Sequence, residues 1–164
     1  MIIGIPKETT DQELRVGITP AGVASLVGLG HRVLIESSAG IGSGIPDNNY
    51  LANGAELVSS SDVIFSSSDI VVKVKEVQAS EWCLLHPDLV TFSFLSLGSN
   101  PELAEALLKN KVTTLAYETI EMKDGSLPIL KTMSALTGRL AVSYTHLRAH
   151  ETEADLVCRL LLEK

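Results

Sequence analysis

The sequence predicts an α/β domain in which a mostly parallel sheet is flanked by helices. Short apolar runs alternate with helical stretches along the chain, which is the pattern of βαβ units. Of its 164 residues, 45% are apolar and 20% are charged, as is usual for a protein with a globular core. Gly and Pro stand between the apolar runs, where turns and helix ends are expected.

The first predicted elements are a strand, a helix and a second strand. Residues 1–5 form a short apolar run, which predicts a buried strand. Thr19 and Pro20 then predict the start of a helix, with Thr as N-cap and Pro at the first helical position. Gly28 ends that helix, and the run HRVLI at 31–35 predicts the second strand.

The middle of the chain predicts a loop followed by further strands. Residues 37–48 are rich in Gly and Ser and predict a surface loop, and a helical turn is expected over 49–53. The runs DIVVKV at 69–74 and VTFSFL at 90–95 predict two more strands. We expect both strands to lie inside the sheet because they are almost continuously apolar.

The last predicted elements are two helices around one strand. Asn100, followed by Pro and Glu, predicts the start of a helix that runs to about residue 110. The run VTTLAY at 112–117 predicts a strand, and a helix is expected from about Thr132. Strands separated by helices in this way favour parallel pairing.

The segment from Val142 to Lys164 departs from this pattern. Back-translated, its first part, VSYTHLRAHET, matches the read-through of a transposase-type sequencing adapter, and its last part, DLVCRLLLEK, matches the far end of the same adapter. All 12 Gly and all 6 Pro lie before residue 142. We therefore expect 142–164 to be a non-native tail and 1–141 to be one natural domain that is cut short.

No metal site is expected in this tail. His146 and His150 have the spacing of a zinc-binding pair, but Glu151 lies outside the pair, so the helical zinc motif fails. Outside the tail, Cys83 is the single cysteine, so no disulfide framework is expected and a reducing, cytoplasmic setting is predicted.

Charge and hydropathy limit the classes of partner. The formal net charge of −7 argues against nucleic acid or an anionic membrane as a general partner. No apolar run reaches the roughly 18 residues that predict a membrane span. The N-terminal MIIGIPKE leads directly into a strand-like run without the pattern of a signal peptide.

The Gly-rich segment at 40–44 is not a dinucleotide fingerprint. Ile45 stands where the third Gly of G-x-G-x-x-G would be, and Pro46 follows in place of a long helix. A surface loop is the better interpretation. No cofactor-binding residue is therefore predicted from this segment.

Four polar residues near predicted strand ends could contact a ligand. Lys73 and Lys75 lie where open α/β sheets bind ligands, on one face if the strand alternates, but spacing alone favours a solvated strand end. Arg15 could hold a carboxylate through two parallel hydrogen bonds, although an ordinary surface arginine is favoured when it is considered alone. Ser96 has no base near it in sequence and is weak evidence for a nucleophile.

Taken together, eight segments resemble the N-terminal domain of bacterial alanine dehydrogenases, which is shared more distantly with proton-translocating nicotinamide nucleotide transhydrogenases. The resemblance covers residues 1–141. The segments are GIPKE at 4–8, RVGITPAGV at 15–23, GHRVLIE at 30–36, AGIGSGI at 39–45, VVKVKE at 71–76, AYET at 116–119, DGSLPIL at 124–130 and MSALTGRLA at 133–141.

The resemblance implies a Rossmann-like catalytic domain and a reaction, the reversible oxidative deamination of L-alanine to pyruvate and ammonia with NAD as hydride acceptor. Arg15 matches the arginine that binds the substrate carboxylate, and Lys75 matches the lysine that contacts the substrate and polarises its carbonyl or imine. Met133 matches a residue that lines the same pocket. NAD would be bound by a further domain, and the family implies a homohexamer.

One position departs from the family. Where the family has Leu-His-Leu-Ala, with the His as general acid/base, this chain has Leu95-Ser96-Leu97-Gly98. Serine cannot titrate near neutral pH, so the chain uses another base, binds another substrate or is impaired. The expectation is an alanine dehydrogenase fragment that is inactive alone; a transhydrogenase domain and a non-catalytic small-molecule binding module are the alternatives.

Overall fold

The computed structural model describes residues 1–143, and in this part of the chain six strands form one sheet. Every pair of neighbouring strands is parallel, in the order β3-β2-β1-β4-β5-β6. The strands are β1 (Ile2–Ile5), β2 (Arg32–Glu36), β3 (Glu56–Val58), β4 (Ile70–Val72), β5 (Val90–Ser93) and β6 (Thr113–Ala116). The predicted parallel α/β class is therefore confirmed.

Four helices connect these strands, and two of them have the predicted caps. The helices are α1 (Pro20–Gly28), α2 (Asp47–Ala52), α3 (Ser61–Ser67) and α4 (Pro101–Asn110). Thr19 accepts a hydrogen bond from the backbone N–H of Gly22, and Asn100 accepts one from that of Leu103, at 3.3 and 3.2 Å. Both side chains satisfy a backbone donor that the first helical turn leaves unpaired.

β4 and β5 both end before the sequence predicts. β4 ends at Val72 and β5 at Ser93, each two residues before the end of its apolar run. The reason at β4 is that the backbone N–H of Val74 donates to the carboxylate of Glu8, 2.6 Å away, and not to a neighbouring strand. Lys73 and Lys75 therefore lie beyond the end of the strand.

The core lies on both faces of the sheet. Along β2, Val33 and Ile35 pack in one apolar cluster with Tyr50, while Leu34 packs in the other with Phe65. Residues that alternate along a strand point to opposite faces, so both faces of β2 are covered. Burial on both faces explains why the strands of this chain are nearly continuous apolar runs.

The chain divides into two compact units, of which the first is Met1–Tyr117 and the second begins at Glu118. In the second unit, a turn with Gly125 at φ +80° precedes a helix over 128–143. That helix begins at Pro128, four residues before the predicted start, because Pro is favoured at the first helical position. The predicted tail lies, from residue 144 onward, outside the described residues. Within residues 1–143, no helix combines the length and apolar character that crossing a membrane requires.

The close approach of β1 to α3 generates a first prediction. A Cβ at Gly4 would lie 2.5 Å from Cγ2 of Ile64 and would also meet the hydroxyl of Ser68. We expect Gly4→Ala to lower the free energy of unfolding by about 1–3 kcal/mol, because overpacking displaces α3. Urea unfolding measures the change. Gly28→Ala is the control, since nothing lies within 4 Å of its added Cβ, and equal effects of the two substitutions would contradict the prediction.

Candidate functional site

The site begins at the crevice between β1 and β4. The chain runs outward from β1 to β3 on one side and from β4 to β6 on the other, so the strand order reverses between these two strands. In open α/β sheets ligands bind outside the carboxyl ends of the strands at such a point. Lys7 and Glu8 follow β1 here, and residues 73–75 follow β4.

A buried ion pair lies beneath this crevice. The ammonium of Lys73 is 2.7 Å from both carboxylate oxygens of Glu81 and 3.8 Å from Oε2 of Glu8. Each of the three side chains is at least 95% buried. Glu81 lies in a 3-10 helix at Ala79–Leu84, whose capping box with Gln78 fixes the carboxylate. The interpretation of Lys73 as a solvated strand end is therefore wrong.

Glu8 joins the buried pair to the backbone that follows β4. Its Oε1 accepts from the N–H of Val74, whereas no donor among the described residues is within hydrogen-bond distance of Oε2. Burial raises the pKa of the Glu8 carboxyl above its usual value, against the lowering effect of Lys73. Burial, together with the charge of Glu8, also raises the pKa of Tyr117 to about 12.

Arg15 lies at the surface of the crevice in a fork with Glu13. Its Nε and Nη2 donate to the two carboxylate oxygens of Glu13 at 2.8 and 2.6 Å. This bidentate pair lowers the pKa of Glu13 to about 2, and it raises that of Arg15. The Glu13 side chain is 8% exposed and that of Arg15 is 46% exposed, so the guanidinium stands between the carboxylate and solvent.

A cleft of 340 Å³ surrounds this fork. Its lining combines residues after β1, the Arg15 loop and the Gly-rich loop after β2. The lining residues are Lys7, Glu8, Glu13, Leu14, Arg15, Ser38, Ala39, Ile41 and Gly42. At Gly42 a Cβ would lie 2.8 Å from the carbonyl oxygen of Leu14, so the glycine allows the two loops to meet. The segment at 40–44 is thus one wall of the cleft.

The residues predicted from sequence take different places around this cleft. Arg15 lines it, and Lys75, which is half-buried, is close enough to contribute to the lowered pKa of Glu13. Ser96 is exposed in the turn after β5, where its backbone is left-handed at φ 47°. Met133 belongs to the second unit. A cleft shared by all four residues stays a prediction.

Sequence reasoning missed the three carboxylates of the site. Glu8 and Glu81 both lie close to the Lys73 ammonium in space. Along the chain, Glu8 follows a different strand, and Glu81 lies in a segment for which the sequence predicts neither a helix nor a strand. Glu13 lies two residues before Arg15 and has no pattern that marks it as a ligand-site residue. Only the segment GIPKE, quoted above as a point of resemblance, contained a signal, since it places a Glu directly after a buried strand.

The described residues form a parallel α/β domain with a cleft at the carboxyl ends of its strands, lined in part by Lys7 and Arg15. The family described as "Alanine dehydrogenase/PNT, N-terminal domain" matches residues 4–137. The chain belongs to this family.

Individual relatives agree with this assignment. The chain is 44% identical over 142 residues to an alanine dehydrogenase of Methanococcus maripaludis and 46% identical over 141 residues to one of Mycobacterium tuberculosis. These matches cover 87% and 86% of this chain but 38% of each relative. The chain therefore spans little more than a third of the length of these curated relatives.

Two solved structures are similar in fold. An L-alanine dehydrogenase superposes with a TM-score of 0.84 at 44% identity, covering 88% of this chain and 40% of that one. A transhydrogenase from Sinorhizobium meliloti reaches 0.67 at 30% identity, covering 72% of this chain and 35% of that one. Both comparisons confirm the predicted fold, and the first is the stronger.

The buried ion pair generates a prediction about stability. We expect Lys73→Met to lower the free energy of unfolding by about 3–5 kcal/mol, because it leaves Glu8 and Glu81 buried without their cation. Lys75→Met is the matched control and should change it by about 0.5 kcal/mol at most, because that side chain is partly solvated. Urea unfolding at pH 7 compares the two, and similar losses would contradict the prediction.

The Arg15–Glu13 fork predicts a pH dependence. The pKa of Glu13 is lowered from 4.5 to about 2 on folding, so the stabilisation is present above pH 4.5 and is lost as pH falls towards 2. We expect Glu13→Gln to lower the free energy of unfolding at pH 6 by on the order of 1 kcal/mol, after solvent screening of the pair, and by less at pH 3.

Urea unfolding at the two pH values measures this dependence. Glu56→Gln is the control, because Glu56 forms the same fork with Arg32 at 2.9 and 2.8 Å but on the open surface. Its effect should be the smaller of the two at pH 6. A loss for Glu13→Gln that is the same at pH 6 and pH 3 would show that the carboxylate does not contribute through its charge.

Proposed function

We propose that this chain is the substrate domain of an NAD-dependent L-alanine dehydrogenase, which converts L-alanine, NAD and water to pyruvate, ammonia and NADH. The observation that carries the proposal is an arginine already in bidentate contact with a carboxylate, at the strand-end cleft of a domain of this family. An α-keto acid or α-amino acid presents the same carboxylate group.

Arg15 is proposed to bind the substrate carboxylate. The fork with Glu13 fixes the plane of the guanidinium and Arg15 lines the cleft, which supports a role in planar recognition of a carboxylate. Because Glu13 is nearly buried and Arg15 is half exposed, the substrate would approach from the solvent side of the guanidinium. Lysine in this place would offer a point charge without the fork.

Lys75 is proposed to contact the reacting end of the substrate. A cation beside the carbonyl or imine stabilises the negative charge that develops on that group during hydride transfer. The influence of Lys75 on the pKa of Glu13 supports its position on the Arg15 side of the crevice. Met133 matches the pocket residue of the family, and its role stays a prediction.

Ser96 stands where the family has its general acid/base. A hydroxyl does not exchange protons near neutral pH, and a missing acid/base group costs on the order of 10²–10⁴ in rate. NAD is proposed to bind in the part of the longer protein that this chain does not cover. Positioning of the nicotinamide contributes roughly 7–11 kcal/mol to such reactions, so the chain alone is proposed to be inactive.

For the longer protein we propose a cytoplasmic homohexamer, as the family resemblance implies. The transhydrogenase alternative is less favoured, because the structural match to that class has the lower TM-score and the lower identity. The second alternative, a small-molecule binding module without catalysis, is favoured by one observation only, the serine at position 96.

The test is a titration of the purified chain with pyruvate, followed by NMR of the backbone amides. We expect an affinity on the order of millimolar, because solvent weakens the attraction of both cations for the carboxylate. Arg15→Ala should abolish the shifts. Arg32→Ala is the matched control. Arg32 lies at the amino end of β2, the end opposite to the cleft, so its replacement should leave the affinity unchanged.

An absorbance assay with alanine and NAD completes this test. No NADH should form above the rate in buffer. Turnover that disappears in Lys75→Ala would contradict the proposed division of the active site between this chain and the rest of the protein. Absence of pyruvate binding at the Arg15 cleft would contradict the proposed function itself.

A further inference from the structure

We infer that Glu8 is a positioning residue that fixes the backbone carrying Lys75 across the crevice between β1 and β4. The inference rests on the proposed function in one respect, namely that Lys75 contacts the substrate. Glu8 follows β1 and Lys75 follows β4, so the contact between their segments spans the point where the strand order reverses.

Glu8 holds this backbone directly. Its Oε1 accepts from the N–H of Val74, the residue directly before Lys75, at 2.6 Å. On the other side, the carbonyl of Val74 accepts from the N–H of Phe94, 3.2 Å away. The segment is therefore held from both neighbouring strand ends at the residue before Lys75.

Neutralising Lys73 does not explain the presence of Glu8. The ammonium of Lys73 already has two contacts of 2.7 Å with Glu81, whereas Oε2 of Glu8 is 3.8 Å away. One cation between two carboxylates leaves a net negative charge in a buried place, which is unfavourable. The N–H of Val74 compensates part of this cost, because a carboxylate is stabilised by such a donor.

Glu8 acts through Lys75 and not by touching the substrate. The oxygen that the backbone does not use, Oε2, is closed off from solvent. A ligand in the cleft therefore cannot reach it, even though other atoms of Glu8 line the cleft. The Glu8 carboxylate therefore holds the backbone next to Lys75 and does not itself contact the ligand.

A double-mutant cycle on the purified chain tests this role. Pyruvate affinity is measured by NMR titration for the wild type, Glu8→Ala, Lys75→Ala and the double variant. Loss of a charge-assisted hydrogen bond corresponds to roughly tenfold or more in affinity, and we expect Glu8→Ala to weaken binding by about that factor. In the Lys75→Ala background the same substitution should have little further effect, because the group that it positions is gone.

Two further variants separate positioning from charge and from folding. Glu36→Gln is the matched control, since Glu36 also accepts from a backbone N–H beside the cleft, that of Lys7 at 2.8 Å, without touching the Lys75 segment. It should leave the affinity within about twofold. Glu8→Gln keeps the shape of the side chain if the alanine variant unfolds, and it should weaken binding less, because a neutral acceptor forms the weaker hydrogen bond.

The outcomes distinguish the two proposals. Equal losses for Glu8→Ala with and without Lys75, or no loss for either Glu8 variant, would overturn the positioning role while leaving pyruvate binding intact. If the wild type binds no pyruvate, the proposed function fails, and amide hydrogen exchange then decides about Glu8. Exchange at the Val74 amide should become at least about tenfold faster in Glu8→Gln, and unchanged exchange would overturn the inference.

Discussion

The site depends on the buried ammonium of Lys73 between Glu81 and Glu8. This ammonium connects three segments that backbone pairing in the sheet does not join. They are the segments that follow β1 and β4 and the 3-10 helix at Ala79–Leu84. A buried ion pair gives little net stability, but breaking it is costly, so its value lies in selecting one arrangement. In this domain, that arrangement holds the segment after β1 next to the segment after β4.

The two carboxylate–cation systems of the site have different tasks because their exposure differs. Lys73 is buried among carboxylates and is unavailable to a ligand, whereas Arg15 keeps nearly half of its side chain in solvent while Glu13 holds it flat. Lys73 and Lys75 are separated by one residue and both follow the end of β4 at Val72. Lys73 is buried in an ion pair, whereas Lys75 is close enough to Glu13 to lower its pKa.

The sequence predicted the parts of the fold that local patterns determine. Thr19 and Asn100 begin helices because a side-chain oxygen before a Pro satisfies the first helical turn, and the apolar runs form a parallel sheet because both faces are covered. The burial of Lys73 was not predictable, since its partner Glu81 lies in a segment without helical or strand periodicity and Glu8 follows another strand. Spacing along one strand contains no information about such partners.

The turn that holds Ser96 has a backbone conformation that is uncommon for a residue other than glycine. Ser96 has φ 47°, a left-handed conformation in which His, Asn and Asp are several-fold enriched among non-glycine residues. Such a backbone would suit the histidine that the resemblance implies at this position, whereas serine cannot titrate near neutral pH. The contacts of Arg15 with Glu13 and of Val74 with Glu8 do not involve residue 96, so the proposed carboxylate-binding residues do not depend on it. Under the proposed function, serine at this position would remove proton transfer and leave carboxylate binding, so the two could be measured separately.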